Sequence, residues 1–331
     1  MSNINETETS ILAEAEKEPK KPVKIKNNLS MPRSRKIFIA LMLAYPILHF
    51  LVFWLYVNIN TFVISFQRFS YTSGKYVFVG MMNYINFFHN LGLSSSATLR
   101  HAIVNSILYL PFNNFILLPV SVICAYFLFK KVFMHRVFRV VFFFPSIISI
   151  VVLTMCFSFM FNTQFGPVVD ILRSMGLSSW VPPNGFFGTP GLAQVMIFLY
   201  CLWAGIGYNV VLLTGAISRI PTEVLEAGML DGITMRREMV SVVVPLIFPT
   251  ISTLFIMGSM VMFTLFLQPM LLTSGGPNGT TYTIAYYIVD MVNNNRLEEA
   301  ATAGILFSIV GIPVVQLIKW GMEKITPQVD F

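Results

Sequence analysis

Three cysteines and four histidines are the side chains in this sequence best suited to nucleophilic or metal chemistry, and their spacing assembles neither. Cys124, Cys156 and Cys201 fall singly inside apolar runs, with no CxxC pair and no histidine cluster near them, so they read as buried packing residues. His49 and His101 have no convergent acid or nucleophile and read as satisfied polar residues, so no catalytic or metal set is expected. No GxxxxGK run followed by Ser or Thr occurs, which excludes a phosphate-binding loop of that kind. The richest constellation is the stretch from Ser218 to Pro245. There Glu223, Glu226, Asp231, Arg236 and Arg237 alternate with Ala227, Gly228, Gly232 and Pro245.

Helix chemistry makes that stretch two short helices with a bend. Thr222 can cap the first, and Glu223 and Glu226 in its first turns suit the positive end of the helix dipole. Gly232 supplies a left-handed position that stops it, and Thr234 can cap a second helix running toward an apolar segment. Pro245 is tolerated at the start of that segment, where backbone donors are free anyway. On these grounds alone two readings stay open, a surface helix pair at a membrane interface fixed by Arg236 and Arg237, and a functional loop.

The elements that must position this loop are set by composition. Over 331 residues, 55% are apolar, 14% aromatic and only 11% charged, against about a quarter charged in soluble domains. A membrane span needs about 20 apolar residues, and six stretches qualify: 37–67, 102–129, 140–161, 192–218, 242–272 and 300–318. The fold class predicted is therefore all-α, a polytopic membrane bundle of six transmembrane helices, the loop lying between spans four and five. Its membrane domain covers 37–325.

Residues 1–36 start acidic (Glu6, Glu8, Glu14, Glu16, Glu18) and turn basic (Lys17 through Lys26, then Arg33, Arg35 and Lys36). This is not a secretory signal; it reads as a polar, disordered, retained tail whose cations hold it against anionic lipid headgroups. Without stacking aromatics it is not expected to bind nucleic acid. Only Arg68, Lys75, Arg100, Arg173 and Arg296, five of the 22 Lys and Arg, fall in the loops opposite the tail. The positive-inside bias thus places both termini, the 219–245 loop and the short tail 326–331 in the cytoplasm. Prolines and asparagines interrupt the spans, among them Pro111, Pro145, Pro245, Asn105, Asn113, Asn114 and Asn209. In lipid these freed groups demand a bundle packed on itself or around a wet cavity. No Asp, Glu, Lys or Arg sits mid-span, which disfavours a secondary transporter driven by a buried ionisable group.

Glu226-Ala227-Gly228, then Gly232 three residues on, then Val242-Val243-Val244-Pro245 after nine more, resembles the EAA loop of binding-protein-dependent ABC importers. Gly228 stands where a second alanine is usual, and Ile233 where alanine is common. Phe78 to Tyr84, Arg139 to Pro145 and Leu271 to Pro277 are similar to further segments of the carbohydrate permeases, related to maltose and glycerol-phosphate permeases. The resemblance implies a permease subunit, not an enzyme, in a prokaryotic cell membrane. It would move a carbohydrate, expected to be an oligosaccharide, into the cytoplasm. A second homologous permease, an ABC ATPase dimer that binds the ATP and Mg, and an extracytoplasmic solute-binding protein are the implied partners, with no cofactor in this chain. Glu226, Asp231, Arg236 and Arg237 would meet the ATPase, and Gly228 and Gly232 would allow close backbone approach. An ABC permease for a non-sugar solute is the alternative, a secondary transporter a more distant one.

Sugars are held by aromatic faces with amide and hydroxyl groups. The fourth span offers Tyr200, Trp203, Tyr208 and Asn209, and Trp203 and Tyr208 fall, with Gly205, in a W-x-G-x-x-Y pattern where related permeases place a cavity aromatic. In the fifth, Ser259, Thr264 and Gln268 are the polar candidates. Packing of Trp203 and Tyr208 between helices is the competing reading.

Overall fold

Apolar runs in lipid satisfy their own backbone only as helices, and helices build most of the described chain. The computed structural model describes residues 33–70, 72–92 and 97–325. The tail over residues 1–32 and the second tail, 326–331, lie outside the described residues. The described chain divides into two units, one ending at Asn58 and one from Ile59 onward.

The first unit holds α1 (Arg33–His49), followed by a π-helical stretch, Phe50–Tyr56, in which Phe50 stacks on Trp54 with ring centroids 4.9 Å apart. Arg33, Arg35 and Lys36, expected in the tail, are already helical, because nothing in their chemistry stops a helix there.

α2 (Val57–Ser65), of which all but Val57 and Asn58 belongs to the second unit, leads to an antiparallel hairpin, β1 (Gln67–Ser70) and β2 (Lys75–Phe78), with Gln67 opposite Phe78. Next come α3 (Met82–Gly92) and α4 (Ala97–Pro111), a π-helical stretch Phe112–Leu117, and α5 (Leu118–Phe129). They are followed by α6 (His135–Ile147), α7 (Ile150–Met160), α8 (Pro167–Ser174) and α9 (Leu192–Ile217). The 219–245 loop forms α10 (Thr222–Leu230), α11 (Met235–Glu238), a π-helical turn Met239–Val243 and α12 (Val244–Leu246). The remainder is α13 (Phe248–Thr264), α14 (Leu267–Thr273), α15 (Ile284–Asn293) and α16 (Leu297–Ile325).

Four continuous helical stretches are long and apolar enough to cross a membrane: Arg33–Ser65, Ala97–Phe129, Leu192–Ile217 and Leu297–Ile325. Two bent pairs complete six. The third expected span is not one rod: α6 and α7 meet at 111°, because Ile148 and Ser149 are extended (ψ 143° and 133°) just past Pro145. The fifth begins at Phe248 rather than Val242, since the α11–α12 segment meets α13 at 76° across Ile247. It also breaks again at Leu265 and Phe266 before α14.

Two apolar cores hold the second unit. One gathers Val122, Ala125, Leu213, Ile217, Leu225, Val243 and Leu254 at the loop end of the bundle, the other Tyr109, Leu153, Phe157, Ile197 and Leu272 toward the opposite end. Cys124 packs against the first and Cys201 against the second, as packing residues should, whereas Cys156, also expected to be buried, is exposed on α7.

Candidate functional site

In α10 the helix is capped by Pro221, whose extended backbone (φ −55°, ψ 135°) precedes the first turn, and Thr222 is already the first helical residue. Its hydroxyl therefore makes no cap, contrary to the sequence expectation. Asp231 ends the helix and Gly232 turns the chain at φ +68° with open space where a side chain would be. Thr234 Oγ1 accepts a 3.4 Å hydrogen bond from the Arg237 amide and so caps α11. Of α10 only Leu225 is buried, anchored in the core beside Ile217 and Val243. Glu226, Ala227, Asp231, Gly232, Arg236, Arg237 and Pro245 are all exposed. Beside Glu226 stand Val224, Met229 and Leu230, the last 91% exposed. A helix that shows both charge and large apolar side chains to solvent is built to be covered. Gly228 and Ile233 pack on each other, since a methyl group on Gly228 would lie 2.7 Å from Ile233 Cδ1.

Behind this exposed face the loop is tied to α5. Lys130 Nζ lies 2.6 Å from Glu238 Oε1 and donates to Oε2 at 2.9 Å. Oε1 has no aligned donor, so charge alone holds it. The Tyr126 hydroxyl donates to the Met235 carbonyl at 3.0 Å. Neither contact was anticipated from sequence, because partners 108 and 109 residues apart leave no local pattern.

A cavity of ≈ 340 Å³ opens inside the bundle among α4, α6, α7, α9, α13 and α14. Tyr109, Asn113, Tyr200, Gly205 and Gln268 line it together with Ile148. Irregular backbone at membrane depth is tolerated where it faces a cavity, and both breaks, at Ile148 and at Leu265, border this one. The Tyr200 hydroxyl is buried there with no hydrogen-bond partner among the described residues. Of the solute-contact candidates read from the sequence, Tyr200 and Gln268 line this cavity. Trp203 stacks on Phe157 with centroids 5.9 Å apart and is 36% exposed; Tyr208 is 52% exposed, and Asn209 is half-buried on the same helix. Thr264 is exposed and borders a separate groove between α13 and α16. These candidates are thus not brought to one point.

The other motif segments are structural. Asn83 Nδ2 donates to the Ser65 and Gln67 carbonyls, and the Tyr84 hydroxyl meets Ser65 Oγ at 2.8 Å, so this Asn-Tyr pair closes the end of α2. At the Gly275-Gly276-Pro277 turn, Gly275 sits at φ +90° under the Tyr282 ring, where a side-chain carbon would clash at 2.1 Å. Burial, and secondarily Asp290, push the Tyr282 phenol up, and its ring stacks on Tyr286 with centroids 4.6 Å apart. Asn105 Nδ2 fastens the turn by donating to the carbonyls of Thr280 (2.7 Å) and Tyr282 (2.9 Å).

Fold and site together define a multi-span helical membrane protein that presents a charged, partly apolar helix pair at one end and holds an open cavity between broken helices. The chain belongs to the family of binding-protein-dependent transport system inner membrane components, which residues 117–324 match. It is 29% identical over 255 residues to the probable ABC transporter permease protein YurN of Bacillus subtilis, covering 73% of this chain and 81% of that one. It is 27% identical over 279 residues to the arabinooligosaccharides transport system permease protein AraP of the same organism, covering 82% and 84%. Its fold is similar, at TM-score 0.75 and 20% identity, to a chain in the crystal structure of a bacterial ABC transporter involved in import of the acidic polysaccharide alginate. That match covers 89% of this chain and 98% of the other.

Proposed function

We propose that this chain is the transmembrane permease subunit of an ABC importer that carries a carbohydrate, an oligosaccharide by preference, into the cytoplasm. The observation that carries the reading is α10, a helix anchored by Leu225 alone and otherwise exposed, with Glu226 set among Val224, Met229 and Leu230. A separate ABC ATPase would cover it, and ATP and Mg would bind there and not here. The relatives named for arabinooligosaccharides and the alginate importer support a saccharide as cargo, and a solved complex of an alginate importer with its pentasaccharide-bound periplasmic protein supports delivery by a binding protein. Both termini are cytoplasmic in this reading, which the Lys and Arg distribution supports.

Tyr200, Asn113 and Gln268 supply a hydroxyl and two amides to the internal cavity, groups suited to sugar hydroxyls. Trp203, Tyr208, Asn209 and Thr264 would line the remainder of a pathway shared with a companion permease, which their exposure supports for Trp203, Tyr208 and Thr264.

The test is reconstitution. The purified chain alone should show no vanadate-sensitive ATP hydrolysis. With a companion permease, ATPase and binding protein it should hydrolyse ATP faster when an oligosaccharide is added. Robust hydrolysis by the chain alone, or an assembled complex that no saccharide stimulates, would overturn it.

A further inference from the structure

We propose that Lys130 and Glu238 form a positioning link that stays closed through the transport cycle, so that the coupling loop, span two and the fifth-span chain move as one body. The inference rests on the permease reading above. Glu238 is only 4% exposed although it lies in a four-residue helix of a surface loop. A buried carboxylate persists as an ion only with a partner, and Lys130, placed where α5 ends, is that partner. Tyr126, one turn earlier, holds the other end of α11 through the Met235 carbonyl. A single helix face thus grips α11 at both ends.

Span two is joined twice more to the chain that follows α11. Midway along, Asn113 Nδ2 donates to the Gly258 carbonyl at 3.3 Å and Asn114 Nδ2 to Ser259 Oγ at 2.7 Å. Toward the far end Asn105 holds the Thr280 and Tyr282 carbonyls, and Ser106 Oγ accepts from the Ile284 amide. From Asn105 to Lys130 is roughly 35 Å of helix, with polar links near both ends and in the middle. Apolar packing in lipid gives little resistance to sliding; hydrogen bonds and an ion pair at fixed registers do resist it. A displacement of α11 by a partner therefore reaches Phe248 through the chain and α5 through Lys130 at once.

The experiment uses the full complex in proteoliposomes, with Cys124, Cys156 and Cys201 replaced by alanine. The Lys130→Cys/Glu238→Cys variant is compared before and after joining by a short bis-thiosulfonate spacer. Saccharide-stimulated ATP hydrolysis and uptake should fall about tenfold when the pair is removed and return to within about twofold of the parent once it is joined. The exchanged pair Lys130→Glu/Glu238→Lys should recover coupling that either single substitution loses, with the ATPase subunit retained throughout. Parental activity in the unjoined or single variants would overturn the proposal. So would transport that joining blocks, or a charge exchange that rescues nothing although the ATPase subunit is retained. A parent complex that no saccharide stimulates would instead defeat the permease reading itself.

Discussion

Lys130 and Glu238 meet at 2.6 Å with side chains 14% and 5% exposed, making the most deeply buried ion pair among the described residues. Such a pair is weak evidence for stability as a whole, but breaking it from one side leaves a charge in a dry place. Lys130→Met should therefore lower the melting temperature of the detergent-solubilised protein, by an amount corresponding to about 3 kcal/mol. Lys130→Met/Glu238→Met should regain most of that loss. A double variant no more stable than the single one would mean that Glu238 is not held by Lys130.

Gly232 turns the chain at φ +68° with nothing within 4 Å of a substituent, so any cost of replacing it is backbone strain alone. Gly232→Val should cost on the order of 1–2 kcal/mol and uncouple saccharide-stimulated ATP hydrolysis. Gly232→Asn, which tolerates the left-handed region, should keep it. Equal losses in both variants would point to a contact through glycine and not to the bend.

Gly228 and Ile233 behave as a matched pair, since the methyl missing from the one is occupied by the other. Gly228→Ala should destabilise by about 1 kcal/mol and Ile233→Ala by a similar amount. The double variant should cost less than their sum, with a coupling of at least ~0.5 kcal/mol. Strict additivity in thermal unfolding would show that the two do not touch in the folded protein.

The bonds from Asn105 to the Thr280 and Tyr282 carbonyls secure the Gly-Gly-Pro turn. Asn105→Leu should strand both carbonyls and cost roughly 2 kcal/mol, measured as loss of thermal stability and as faster proteolysis near Asn278. Protection equal to that of the parent would refute the fastening role.

A thiol at Leu230, 91% exposed on α10, should react with an impermeant reagent only after cells are opened, and one at the exposed Asn184 should react in intact cells. The reverse pattern would invert the proposed orientation.

Local chemistry was enough to read much of this protein from its sequence. Runs of apolar residues long enough to span lipid mark four of the helices, some of them extending by up to about two turns beyond the run, since length and hydropathy are properties of the segment itself. The left-handed turn at Gly232 and the Thr234 cap follow for the same reason. Pro145 and Pro245 announced irregularity but not its form. Whether a freed backbone group kinks a helix or breaks it at 111° depends on what lies beside it, and the cavity beside Ile148 is made by four other helices. Tertiary structure likewise decided that Asn105, Asn113 and Asn114 all reach the fifth-span chain or the turn that follows it. It decided, too, that Glu238, an ordinary surface residue by its neighbours in sequence, is buried against Lys130. In a low-dielectric interior a polar side chain must find a partner, and which partner it finds is a property of helix packing, to which residues more than a hundred positions apart contribute equally.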